Sequence, residues 1–70
     1  MKVKFVESNE QKFNLKARRM LEKLGVEIMS FPPDPIFEER FDLPFIETED
    51  GHRYFGVKGI TYFADNYTRQ

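Results

Sequence analysis

The chain contains no cysteine. Disulfides, thiolate nucleophiles and cysteine-ligated metals are therefore excluded from it. Tryptophan is also absent, and histidine occurs once, at His52. A Ser-His-Asp triad or a His-rich metal site would have to be built on that one residue, beside the turn glycine Gly51. An exposed turn residue is the plainer reading and the preferred one. Apolar runs are short, none near the roughly 18 residues that a membrane span requires. The first residues, MKVKFVESNE, lack the apolar core of a signal peptide. A cytoplasmic protein with no membrane contact is expected. Glycine is scarce, and Gly51, Gly56 and Gly59 do not have the spacing of a phosphate loop. The acids are many, yet nothing in their spacing sets two carboxylates around a cleft. No metal, no cofactor and no catalytic residue is expected.

What is present points to one small domain, residues 1–70. At this length only about 60% of the unfolded chain's surface is buried on folding, so the core must be dense. Eight Phe and three Tyr supply the volume, each ring burying roughly 150–250 Å². Charged residues make up 33% of the chain with both signs mixed, for a net charge of −1. Such a composition argues against disorder. The charges are segregated. Residues 1–25 carry seven Lys/Arg against three acids, and residues 26–50 carry one Arg against eight acids. The two segments can attract each other or present patches of opposite sign.

In chain order, Met1 to Glu7 reads as a strand, with Val3 and Phe5 on one face and Lys2 and Lys4 on the other. Ser8 offers a helix N-cap with Gln11 three residues on, the capping-box spacing. Phe13, Ala17, Met20, Leu21 and Leu24 then recur on one helical face, which predicts a helix over 9–24. Gly25 is its stop. Val26 to Phe31 reads as a second strand, parallel to the first across a right-handed crossover. Pro32 and Pro33 end it. Asp34 can cap a helical turn with Pro35 at its first position, and Ile36, Phe37 and Phe41 can anchor that turn. Leu43 to Glu49 reads as a third strand. Asp50-Gly51 signals a two-residue hairpin loop that pairs Glu49 with His52 and Ile46 with Phe55. Residues 52–57 form the fourth strand, and Ile60, Phe63, Ala64 and Tyr67 mark a closing helix over 59–68, with Gly59 as its cap. The fold class is α/β: β-α-β, then β-β-α, with a four-stranded mixed sheet and two main helices on one face.

This arrangement resembles the thioredoxin fold, and the sequence is similar to a glutaredoxin over most of its length. MKVKFVES and KARRMLEKLGVEI are similar to that family's first strand and helix, Leu43-Pro44-Phe45-Ile46 to the segment with its cis-proline, and Asp50-Gly51 through Phe63 to its last hairpin and helix. The resemblance implies a minimal thioredoxin-like domain with Pro44 as the cis residue. The departures fall on the family's chemistry. Gln11-Lys12-Phe13-Asn14 stands where the resemblance would place Cys-Pro-Tyr-Cys, and Lys58-Gly59 where it would place the acidic pair that holds glutathione. Neither Gln nor Asn can supply a thiolate, so a redox-inactive, non-enzymatic module is expected.

Three surfaces are candidates for function. The first is an anion site at the two helix N-termini, from Lys12, Phe13, Pro44, Lys58 and Gly59, for a small anion or a glutathione-like ligand. The plainer alternative is that Ser8 and water satisfy these groups. The second is the basic stripe Lys12, Lys16, Arg19 and Lys23, at i, i+4, i+7 and i+11, which suits weak nucleic-acid binding. With a sequence pI of about 5.8, a solvated helix face is the preferred reading. The third is the outer side of the sheet, where Met29, Phe45 and Tyr54 are expected among Lys2, Lys4, Glu27, Glu47 and Glu49. A protein partner, with a second copy of the chain as one option, suits that side. The alternative is that Ile36, Phe37 and Phe41 cover it while Lys2 and Lys4 pair with Glu47 and Glu49. Partner binding is the main functional expectation.

Overall fold

The structure is a computed structural model that describes residues 1–36 and 42–67. Its elements are β1 (Lys2–Val6), α1 (Gln11–Lys23), β2 (Glu27–Phe31), β3 (Phe45–Glu47), β4 (Arg53–Phe55) and α2 (Gly56–Tyr67). They build an α/β fold with one four-stranded mixed sheet, ordered β2-β1-β3-β4. The crossover through α1 returns the chain parallel to β1, pairing Val3 with Ile28 and Phe5 with Ser30. β3 runs antiparallel to β1, with Phe5 opposite Ile46, and β4 antiparallel to β3.

Alternation along β1 decides which face is inside. Val3 and Phe5 are fully buried, while Lys2 and Lys4 are exposed. Because side chains alternate with period two, the whole sheet inherits this division. The inner face packs under both helices, in a cluster of Val3, Phe5, Ala17, Leu21, Val26, Ile46, Ile60 and Phe63. Each large apolar side chain there contributes about 1.5–3 kcal/mol by leaving water.

The start of α1 differs from expectation. Glu10, not Ser8, is the N-cap, and its side chain makes no capping bond. Ser8 lies two residues outside the helix, held by the buried Asn14. The Ser8 N–H donates to Asn14 Oδ1 at 2.8 Å, and Asn14 Nδ2 donates to the Ser8 carbonyl at 2.9 Å. The buried face of α1 is therefore Asn14, Ala17 and Leu21, at i, i+3 and i+7. Phe13 falls outside it and is 37% exposed. The helix ends as anticipated, with Gly25 N–H donating to the Glu22 carbonyl at 3.1 Å.

The hairpin also differs from expectation. Its loop has three residues, not two. Thr48 N–H donates to the His52 carbonyl at 2.9 Å, and Gly51 N–H donates to the Thr48 carbonyl at 3.0 Å. Gly51 has φ +87°, the left-handed position that follows the turn in a three-residue hairpin. Ile46 consequently faces Tyr54, not Phe55. A one-residue shift sends every side chain of β4 to the opposite face.

β4 ends at Phe55, and α2 begins at Gly56 rather than at Gly59. Gly56 N–H donates to the carbonyls of Pro44, at 2.8 Å, and Asp42, at 3.1 Å. These bonds fasten the helix start to the approach to β3. Gly59 is inside the helix and caps nothing. A Cβ there would stand 3.1 Å from the Tyr54 carbonyl carbon, so the missing side chain is what lets α2 lie close on β4.

Candidate interaction groove

The outer face is built from the residues that alternation turns away from the helices. Two rows cross all four strands. One is Met29, Lys4, Glu47 and Arg53; the other is Phe31, Val6, Phe45 and Phe55. In the first row Glu47 is held from both sides. Arg53 Nε donates to Glu47 Oε1 at 2.8 Å, and Lys4 Nζ lies 3.8 Å from Glu47 Oε2. The Arg53 hydrogen bond is the main reason the Glu47 carboxyl sits below its ordinary range, with Lys4 assisting. Such surface pairs contribute about 0–1 kcal/mol to stability. They therefore order the face more than they stabilise the fold. In the second row the Phe45 and Phe55 rings stand 5.2 Å apart between centroids.

Beside these rows the chain leaves β2 through Pro32, Pro33, Asp34 and Pro35. Asp34 Oδ1 accepts the Ile36 amide at 2.9 Å, the capping role expected of it. The proline segment forms one wall of a groove of about 570 Å³. Its floor is Lys4, Val6, Phe31, Phe45, Glu47 and Arg53. Phe45 is 4% exposed, whereas Met29 and Phe31 are 40% and 38% exposed at the sheet edge. The groove is apolar in the middle, with charges of both signs along one side.

Met29 and Phe45 thus lie on the expected face. Tyr54 does not. The three-residue loop turns it inward, where its ring lies 5.1 Å from that of Phe63. Phe55 and Arg53 take the outer positions instead. Lys4 pairs with Glu47 as anticipated, but the Lys2 ammonium lies 3.6 Å from Glu27, and it is the Lys2 backbone N–H that reaches Glu49. Ile36 is 66% exposed. Phe37 and Phe41 lie outside the described residues.

Each residue of the anion-site expectation has its own partner or exposure. Pro44 is fully buried, its carbonyl bonded to Gly56 N–H, and the Leu43–Pro44 peptide is cis. The Lys12 ammonium lies 3.8 Å from Glu10 and 5.1 Å from the centroid of the exposed Phe13 ring. Lys58 is exposed, and Gly59 packs on Tyr54. Lys12 also lines a groove on α1 with Leu15, Lys16, Arg19 and Lys23.

His52 is exposed in the hairpin, with Nδ1 2.8 Å from Asp50 Oδ2. The Thr48 hydroxyl also donates to Asp50. Those two bonds, Thr48 foremost, hold the Asp50 carboxyl at about 2. A carboxyl held lower in the folded state favours folding above its unfolded value, near 4, and loses that contribution as pH falls through the folded one. Stability is therefore expected to decline between about pH 4 and pH 2 partly through this hairpin. Asp50→Asn should flatten that part of the decline, as followed by urea unfolding at several pH values.

Among the described residues no group of three or more His, Cys, Asp or Glu could hold a metal ion, and no helix is long and apolar enough to cross a membrane. No protein-family model, curated protein or solved structure matches the chain.

Proposed function

We propose that the chain is a cysteine-free, thioredoxin-like domain that acts by binding a protein partner, not by catalysis. The strand order, one parallel pair followed by two antiparallel pairs, and the placement of both helices on one side support the thioredoxin-like reading. The glutaredoxin resemblance of the sequence supports it further. The fold alone assigns no activity. The observation that carries the functional reading is the outer groove, an apolar floor walled by prolines, with Phe31 exposed on the edge strand β2. Its occupant is an extended peptide segment of the partner, one apolar side chain seated on the exposed Phe31 ring beside the half-buried Val6. Acidic and basic residues flanking that side chain meet Lys4, Arg53 and Asp34. Both signs are represented along the groove, so shape and the apolar contact set affinity, and charge sets register.

Selection of displayed random peptides on the whole chain tests this. The expected result is enrichment of a sequence with one central apolar or aromatic residue. Phe31→Ser, on the exposed edge, should weaken the enriched peptide about tenfold or more, the loss of one ring contact, while the chain stays folded with a melt lowered by no more than about 8 °C. Failure to enrich any sequence, or binding indifferent to Phe31→Ser, would count against the groove.

A further inference from the structure

We propose that the outward face of α1 is a binding site for the backbone of a single-stranded nucleic acid, on the opposite side of the sheet from the groove described above. Lys12, Leu15, Lys16, Arg19 and Lys23 line one shallow groove of about 540 Å³ contributed by a single helix. At about 100° per residue the four cations fall within an arc of roughly 60°. They form a line about 16 Å long with about 5–6 Å between successive side chains along the axis. That interval is on the scale of the separation between neighbouring phosphates of one strand. Glu22, the helix's one acid, stands roughly 90° around the axis from that line.

The charge on the line is available. Lys12 shares Glu10, but no ion pair among the described residues holds Lys16, Arg19 or Lys23. The chain is acidic overall, yet its acids are concentrated in residues 26–50. At 0.1 M salt the screening length is about 10 Å, so a phosphate on α1 senses mainly the local cations. Phe13 adds the second component. Its ring is 37% exposed with the Lys12 ammonium over one face, and a ring flanking a basic line is a surface on which a base can stack once Lys12 turns to a phosphate. Leu15, 50% exposed, lies on the other flank. An anionic membrane fits less well. A membrane-surface helix buries its apolar stripe in lipid, and the stripe of α1 is committed to the core through Ala17 and Leu21.

The test is fluorescence anisotropy of a labelled 20-nucleotide oligo-dT titrated with the whole chain at several salt concentrations. Neutralising four phosphates gives a slope of log K against log salt of about −3 for a single strand. Between 50 and 200 mM salt the affinity should therefore fall roughly fifty-fold. The double variant Lys16→Glu/Arg19→Glu should abolish binding, and Lys16→Gln/Arg19→Gln should halve the slope. The second pair introduces no new charge and serves if the first does not fold. Phe13→Ala should weaken binding with the slope unchanged, because stacking releases no counterions. Absence of saturable binding at 50 mM salt would overturn the proposal. So would equal binding to polyglutamate with no effect of Phe13→Ala, or binding to phosphatidylglycerol vesicles in preference to the oligonucleotide.

Discussion

Phe5→Ala is expected to remove about 3–5 kcal/mol of stability. Phe5 is fully buried in β1, between Ser30 of β2 and Ile46 of β3, under a core contributed by both helices. The Arg18 guanidinium carbon lies 5.1 Å from its ring centroid, and that side chain is itself tied to Ser30 and Glu7. A domain this small has only about 4–10 kcal/mol in total, so the variant should lose a third or more of its stability and unfold at a much lower urea concentration. Urea denaturation followed by circular dichroism checks this. Phe31→Ala, on the same sheet but exposed at its edge, should cost less than about 1 kcal/mol. Similar losses at the two positions would mean that the two faces of the sheet have been wrongly distinguished.

Asn14→Ala is expected to cost about 2–3 kcal/mol, although it removes a polar residue from a helix and replaces it with the best helix former. Asn14 is 3% exposed. It accepts the Ser8 N–H and the Ser8 hydroxyl, and it donates to the Ser8 carbonyl and to Gln11. Its loss leaves the Ser8 peptide groups buried without partners, and stranded groups are more costly than a missing contact. Gln11→Ala, which removes only the bond at the solvent side, should cost under about 0.5 kcal/mol. Equal small effects at both positions would show that Ser8 finds water or another partner.

The parts of the fold that were legible in the sequence are those with sustained periodicity. Lys2 to Phe5 alternate without interruption, and Ala17, Leu21 and Leu24 repeat on a helical face, so β1, α1 and the parallel pairing of β2 follow directly. Gly25 closes the helix where its position suggests. The misreadings occur where one residue decides between two geometries. Asp50-Gly51 satisfies both a two-residue loop and a three-residue loop in which only Gly51 is left-handed, and the choice reverses Tyr54 and Phe55. Phe13 and Asn14 are adjacent, and hydropathy assigns the ring to the core. The structure buries the amide instead, because only Asn14 can bond both peptide groups of Ser8. Met29 and Phe45 could be placed on the outer face from alternation alone. The proline wall of the groove could not, because no periodicity locates Pro32 to Pro35 against β3.

We propose that the protein acts through this outer groove and not through a reactive side chain. Amide chemical-shift mapping with a peptide enriched on the whole chain tests it most directly. Saturable shifts are expected at Lys4, Val6, Phe31, Phe45, Glu47 and Arg53, with Ala17, Leu21 and the other core positions of α1 unmoved. Shifts confined to α1 or to the start of α2, or none that saturate, would contradict it.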